Sequence, residues 1–433
     1  MKLFQHPDKK DWKQIIQRPI ANPFELESKV QAIIDTVKEN GDAALYKFAE
    51  QFDKVQLSRL QVTASEIEQA VSKIQPDIKE AIELAIQNIQ TFHSSQKMVE
   101  PRVETMPGVT CYRKSVGIEK VGLYIPGGTA PLFSTLLMLA IPAQIAGCKQ
   151  LVVCTPSNQQ GEVNEVILYI AQRLGLNEVY KIGGVQAIAA MAFGTETIPA
   201  VDKIFGPGNQ YVTCAKQLVN RFGIAIDMPA GPSEVAIFAD DTCIPSFVAA
   251  DLLSQAEHGI DSQVLLVTTN STLAQLIIDQ VYQQLQNLSR KEIATISIQN
   301  SVALVVQDEL EAMELLNLYA PEHLILATNH AVQLAELVIN AGSVFLGNFA
   351  PESVGDYASG TNHTLPTNGY ANAYSGVSVD SFVKKITFQQ LNPQGLSAIG
   401  PAVQTMALAE GLDAHEQAVT VRLNYINNLS KKS

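Results

Sequence analysis

Through residues 25–100 apolar positions recur at spacings of three and four, as in VQAIIDTVKENGDAALYKFAEQF and IKEAIELAIQNIQTF. That period predicts amphipathic helices. Gly41, followed by Asp42, marks a break between two of them. From about residue 118 the pattern changes to short β-branched runs separated by longer helical stretches. VGLYI, QLVVCT, EVYKI and DKIF are expected strands. APLFSTLLMLAIPAQIAG, EVNEVILYIAQRLG, VQAIAAMAFG and GNQYVTCAKQLVNRFG are the expected helices between them. The alternation resumes with the strands EVAIFAD, SQVLLVTT, SVALVVQ, HLILAT and SVFLG. Their helices are PSFVAADLLSQAEHG, TLAQLIIDQVYQQLQNL, ELEAMELLNLYA and AVQLAELVINAG. Such alternation predicts parallel sheets covered on both faces. The expected fold is α/β: two tandem doubly wound, Rossmann-like units behind a helical N-terminal region, divided near the AGPSE turn at 230–234. Beyond residue 376 a strand pair (VSVDSF, KKITFQQ) and two helices (LSAIGPAVQTMALAEG, AHEQAVTVRLNYINNL) read as a small α+β tail. A tail of this size buries too little apolar surface to fold alone, so it must dock on its own body or on a second chain.

Composition narrows the possible classes. The 433 residues suffice for two α/β units with extensions, and 46% hydrophobic against 17% charged residues points to a sizeable core. A net charge of −13 repels nucleic acid and anionic lipid, so neither is expected as a partner. From Val121 to Cys148 no residue is charged, but Pro126, Gly127, Gly128, Pro131 and Pro142 interrupt the run. It reads as a buried strand, a glycine loop and a core helix rather than a membrane span. The start, MKLFQHPDKKDW, lacks a signal peptide's apolar run. Cys111, Cys148, Cys154, Cys214 and Cys243 form no C-x-x-C spacing and read as reduced thiols, which fits a cytoplasmic protein.

The chemistry-bearing candidates sit in separate segments. LYAPEHLILAT places Glu322 beside His323 at the entrance of an apolar run, where burial is costly without partners. Neighbours in a strand face opposite ways, but Pro321 makes the residue before it extended and places the pair at the strand's entrance, where both could turn inward. Two adjacent bases suit a reaction that removes protons from different groups in successive steps; a partly exposed loop pair is the bland alternative. The pair also lies at a strand's amino end, whereas α/β ligands usually sit at carboxyl ends. In LLSQAEHG, Gln255 and His258 stand three apart in an expected helix and share a face, with Gly259 ending it. That spacing suits a metal, although for the fragment alone a histidine that caps the helix end is the favoured reading. GDYASGTNHTLPTNGY reads as a polar loop offering Asp356 and His363, and AEGLDAHEQA places Glu410 near His415 with Asp413 as a candidate N-cap. G-x-G-x-x-G is absent, but YIPGGTAP, GGVQAIAA and FGPGNQYV each join an expected strand to a helix. Their glycines would let backbone N–H groups approach a phosphate or another anion.

Taken together and in order, VGLYIPGG, GGVQAIAAMAFGT, KIFGPGNQYV, AGPSEV, AADLLSQAEHG, YAPEHL, VGDYASGTNH, YSGVSVDSF and EGLDAH closely resemble the histidinol dehydrogenase family. The resemblance covers essentially the whole chain. Thr361, where the family often has proline, falls between the functional positions. It implies oxidation of L-histidinol through L-histidinal to L-histidine with two NAD, one water and one Zn2+ per subunit. It implies Gln255, His258, Asp356 and His415 as metal ligands, and Glu322 and His323 as bases. Ser233, Gln255, His258, His323, Asp356, Glu410 and His415 would contact substrate, and Tyr124, Gln186 and Asn209 would contact NAD. It also implies a homodimer in which the C-terminal tail of one chain completes the other's site. On this reading 1–20 is an N-terminal extension, and 21–123 plus 233–376 form the first α/β domain, with the metal and catalytic residues. Residues 124–232 form the second, NAD-binding domain, and 377–433 the tail.

Two other classes compete: a zinc hydrolase using Glu322 to activate water, and a scaffold that holds metal or nucleotide without turnover. A variant of the dehydrogenase would carry its second oxidation on a thiohemiacetal of Cys111, Cys148 or Cys154. None of the three sits in a motif that lowers a thiol pKa.

Overall fold

The computed structural model describes residues 1–18, 23–127, 131–229 and 231–430. Part of YIPGGTAP and the first residue of AGPSE lie outside the described residues. The chain divides into two compact units, one of residues 1–96 and 118–382, the other of 97–117 and 383–433. No described helix is long and apolar enough to cross a membrane.

In chain order β1 (Lys2–Gln5) precedes a helical stretch, after which come β2 (Val103–Met106) and β3 (Val109–Gly117). The first alternating run is β4 (Lys120–Tyr124), β5 (Gln150–Cys154), β6 (Glu178–Tyr180), β7 (Lys203–Phe205) and β8 (Ala225–Ile226). The second is β9 (Glu234–Ala239), β10 (Gln263–Thr268), β11 (Val302–Val305), β12 (His323–Ala327) and β13 (Ser343–Leu346), with β14 (Val383–Leu391) last. Among the described residues the larger unit holds two sheets, of order β6-β5-β4-β7-β8 and β1-β11-β10-β9-β12-β13. Their pairings are parallel. Both are covered on two faces, as expected. Val235, Ile237 and Ala239 of β9 enter one apolar cluster, and Ala236 and Phe238 enter the other.

The helix Pro23–Phe48 is broken at Gly41, whose φ of 52° and ψ of −133° lie outside the helical region. A side chain there would run into Glu196, whose Oε2 accepts the Asp42 amide at 2.8 Å. Sequence reading grouped residues 21–123 with 233–376. The cores instead group Val30, Ile34, Val37 and Leu45, and Ile82, Ile86 and Ile89, with the strands of the five-stranded sheet. The charge-free run contributes β4 and the helix Phe133–Ala146, whose residues 134–143 are all buried.

Four local expectations need correction. Residues 2–5, assigned to an extension, form an edge strand because Lys2–Gln5 pair with Val302–Val305. VSVDSF is not a strand: Val379–Phe382 turn as a 3₁₀ helix, which sends Val379 and Phe382, three apart, into the core. Phe382 stacks on Phe205 with ring centroids 4.1 Å apart. KKITFQQ pairs with β3, and β14-β3-β2 make an antiparallel sheet in the smaller unit. The tail thus folds with residues 97–117, which offered no expected element. AVQLAELVINAG is helical only over Ala331–Ala335.

Two glycines at turns test how closely the backbone is packed. Gly206, after β7, has φ +132°, and an added Cβ would lie 2.1 Å from the Tyr124 carbonyl oxygen. Gly147, capping the Phe133–Ala146 helix, has φ +85° with nothing within 4 Å. Gly206→Ala should cost about 3 kcal/mol from strain and overlap together. Gly147→Ala should cost only about 1 kcal/mol, from left-handed backbone alone. Denaturant midpoints of the two variants check this, and equal losses would contradict it.

Candidate active site

Parallel strands are joined by chain that must run back the other way, so each connecting helix ends at the amino edge of the sheet. The helix Pro245–Ala256 leaves β9 and returns to the start of β10, and Glu352–Tyr357 follows β13. Register aligns Glu234 with Gln263, and His323 with Val235 and Ser343, so this edge collects the starts of β9, β10, β12 and β13. Ser233 lies immediately before β9, and its carbonyl accepts the Gln263 amide at 3.3 Å.

Ala320 is left-handed (φ 50°), Pro321 follows, and Glu322 is a bend just outside β12. That bend lets Glu322 and His323 share one pocket despite being neighbours. Both are buried, at 6% and 3% exposure. Glu322 Oε2 accepts the Glu234 amide at 2.9 Å and Gln255 Nε2 at 3.3 Å. His323 Nδ1 donates to the Glu234 carbonyl at 3.3 Å and lies 3.7 Å from Glu322 Oε2. The carbonyl can only accept, so it fixes the ring with Nδ1–H and turns Nε2 toward Asp356 Oδ1, 3.3 Å away. That approach lacks hydrogen-bond alignment and is a charge contact.

Three further groups complete the edge. Gln255 is the penultimate residue of its helix and is buried, and its Oε1 has no partner. His258 was expected within that helix, but the helix stops at Ala256, and His258 sits on the following turn, its amide 3.3 Å from the Gln255 carbonyl. Gly259 does not adopt the left-handed cap expected of it. Asp356 belongs to the short helix Glu352–Tyr357 rather than to a loop. His363 is fully engaged: Nδ1 donates to the Asp356 carbonyl at 2.9 Å, and Nε2 accepts from Thr135 Oγ1 at 3.0 Å. It braces Asp356 and has no lone pair left for a metal.

The electrostatics are dominated by burial of acids. Burial pushes Glu322 and Glu352 each up to about 8, and Asp251 up to about 7. Burial works against protonation of His323, but the negative charges of Glu322, Glu352 and Asp356 outweigh it and push the ring to about 10. Asp356, although burial raises it, is held below the usual carboxylate range by the facing His323 ring. Burial lowers His258, and Asp356 acts on it in the opposite direction. Sequence reasoning missed Glu352 and Glu234. Glu352 is 1% exposed, with Oε1 accepting from Ser254 Oγ at 3.4 Å and Oε2 unpartnered. Its position four residues before Asp356, on the same helix face, was the one available signal. Glu322, Glu352 and Asp356 thus face a single imidazole, a set of acids whose joint ionisation a divalent cation would favour. An unpartnered amide oxygen, a carboxylate and a neighbouring imidazole are also a donor set that zinc accepts.

The remaining candidates lie elsewhere. Tyr124 ends β4, Gln186 lies in the helix Gly184–Phe193 after β6, and Asn209 caps the helix Gln210–Asn220 after β7. All three sit at the carboxyl edge of the five-stranded sheet. Tyr124 Oη accepts the Gly184 amide at 3.2 Å, and burial pushes its phenol up to about 12. Asn209 Oδ1 accepts the Tyr211 and Val212 amides at 3.0 and 3.2 Å, an N-cap role. Glu410 and His415 belong to the smaller unit, where both are exposed. Glu410 follows the helix Pro393–Ala409, and Asp413 opens the helix Asp413–Ser430 from inside its first turn rather than as its N-cap. Among the described residues, three His, Asp or Glu ligand atoms within 4.8 Å of one another occur at Asp240, Glu309 and His330. These residues stand past the carboxyl ends of β9, β11 and β12, outside the expected ligand set. His330 is already paired there, with Glu309 Oε1 and Thr328 Oγ1 each at 2.9 Å.

The histidinol dehydrogenase family pattern matches residues 16–423. The chain is 59% identical over 424 residues to a histidinol dehydrogenase of Bacteroides thetaiotaomicron, covering 98% of this chain and 99% of that one. It is 49% identical to one of Yersinia pestis, covering 98% and 96%. A crystal structure of histidinol dehydrogenase from Elizabethkingia anophelis matches with a TM-score of 0.97 at 52% identity, over 99% of both chains. These likenesses disfavour a hydrolase and a non-catalytic scaffold. The chain belongs to the histidinol dehydrogenase family and is an oxidoreductase.

Proposed function

We propose that this enzyme oxidises L-histidinol through L-histidinal to L-histidine in the cytoplasm, reducing two NAD and consuming one water. The reading is supported chiefly by the meeting of Glu322, His323, Gln255 and Asp356 in one acid-rich pocket. Gln255, His258 and Asp356, with His415 from a second subunit, would hold zinc. When bound, zinc would supply the positive charge that grips the substrate's imidazole and amine.

The proton work falls to this chain's own residues. Asp356, once engaged as a ligand, holds the His323 proton less firmly, which frees Nε2 as a base. Nε2 then takes the alcohol proton as hydride leaves the carbinol carbon for NAD. Glu322 removes a proton from the water that adds to the aldehyde. His323 returns its proton to the aldehyde oxygen to complete the hydrate, then takes a hydroxyl proton as the second hydride passes to a second NAD, and the carboxylic acid so formed ionises to the carboxylate. Ser233, Glu410 and His415 would complete the substrate contacts, and Tyr124, Gln186 and Asn209 would contact NAD. A thiohemiacetal route draws no support from Cys148 and Cys154, because burial pushes both thiols up, Cys148 to about 11, away from the reactive thiolate. A homodimer with composite sites is favoured by the exposure of Met406, Leu408, Val421 and Tyr425 on the tail helices and of Leu412 between them.

Three measurements test this function. Two NADH should form per histidinol consumed, falling to near zero after chelation and returning with zinc; one NADH per histidinol would rule out the two-step course. Glu322→Gln should slow oxidation of supplied histidinal by about 10²–10⁴-fold while sparing more of the first hydride transfer. His323→Ala should show the reverse bias in single-turnover kinetics, and identical profiles would refute the division of labour. Mixing inactive His323→Ala and His415→Ala chains should restore part of the activity, and verified heterodimers without recovery would exclude shared sites.

A further inference from the structure

Arg18 lies next to the amino edge of the six-stranded sheet, although nothing in its sequence neighbourhood points to chemistry. Its guanidinium grips the buried Glu234 carboxylate in two places, through Nε to Oε2 and through Nη2 to Oε1 at 2.9 Å. Nη2 also donates to the Tyr319 carbonyl at 2.7 Å, and the guanidinium lies 3.9 Å from the centre of the Tyr319 ring. The single proton of Tyr319 Oη is shared between Glu234 Oε2 at 3.3 Å and Gln263 Oε1 at 3.0 Å. The adjacent Gln17 carbonyl accepts Gln263 Nε2 at 3.1 Å. One cation therefore ties together the entrances of two strands.

Those entrances carry the reacting pair. Glu234 holds Glu322 through its amide and His323 through its carbonyl. Tyr319 ends the helix that leads through Ala320 and Pro321 into Glu322. We infer that Arg18 is a positioning residue for the oxidation: by clamping the Glu234 side chain and the Tyr319 carbonyl, it fixes the backbone that aims Glu322 and orients the His323 ring. Without Arg18 the Glu234 carboxylate, 2% exposed, keeps among the described residues only the Tyr319 hydroxyl as a side-chain donor. A buried carboxylate left so poorly compensated protonates or draws its strand end toward water. Either response shifts the two peptide groups on which both bases depend. The inference rests on the reading of Glu322 and His323 as bases.

The test uses full-length, zinc-loaded Arg18→Ala, Arg18→Lys and Tyr319→Phe enzymes beside Glu322→Gln and His323→Ala. Arg18→Ala should lower kcat about 10–100-fold with little change in KM, the signature of misaimed groups rather than lost binding. Millimolar guanidinium should restore several-fold of kcat to Arg18→Ala and none to Glu322→Gln. Arg18→Lys, which cannot make the two-point grip, should fall between Ala and the parent. Nitrogen-15 spectra of the His323 ring should show less of the Nδ1–H form in Arg18→Ala. If Arg18→Ala does not fold, Tyr319→Phe should give a smaller kcat loss with the same ring shift. A folded Arg18→Ala with parental kcat and ring spectrum would overturn the inference, as would a loss that guanidinium leaves untouched. If Glu322→Gln and His323→Ala instead keep full activity, the assignment of the bases fails, whatever Arg18 does.

Discussion

Taking a carboxylate and an imidazole out of water together is the constraint that organises the amino edge of the six-stranded sheet. Neither group tolerates burial alone. Glu322 is kept by the Glu234 amide and the Gln255 side chain, and His323 by the Glu234 carbonyl. Both rely on the first peptide groups of a central strand, which the rest of the sheet holds in register. Asp356 and Glu352 then bring further negative charge within reach of the same ring. In an arrangement of this kind the acids can all ionise together only when a cation or a substrate ammonium balances them.

Its location follows from the direction of the chain. Ligands of open parallel sheets usually gather at carboxyl ends, where loops leave the strands. Here the opposite edge is populated because Gln255 comes from a returning helix, His258 from the turn after it, and Glu322 from the bend that feeds β12. The five-stranded sheet keeps the ordinary arrangement. Tyr124, Gly206 and Asn209 lie at its carboxyl edge, and Gly206 is there because its backbone passes too close to the Tyr124 carbonyl for any side chain. The two sheets thus gather the candidate residues at opposite edges.

The loop that seemed richest in ligands turned out to be divided in its roles. Asp356 faces His323, while His363, seven residues later, spends both ring nitrogens on the Asp356 carbonyl and Thr135. Residue type alone could not separate them. An imidazole becomes a ligand or a brace according to which acceptors surround it, and those acceptors come from distant parts of the chain.

Much of this was legible in the sequence, because strand and helix periods are local. The alternating runs marked most strands of both parallel sheets, Gly41 marked the helix break, and the motif blocks carried the family. Residues 97–117 stayed silent: β2 and β3 bury little, and β3 gains its order by pairing with β14, some 270 residues on, and in turn pairs with β2. Val379 and Phe382 read as part of a strand, and only the folded chain shows the turn that brings Phe382 onto Phe205. Glu352, Glu234 and Arg18 could not be singled out either. Their roles arise from burial and from partners hundreds of residues away, and burial of charge is a property of the folded chain rather than of any stretch of it.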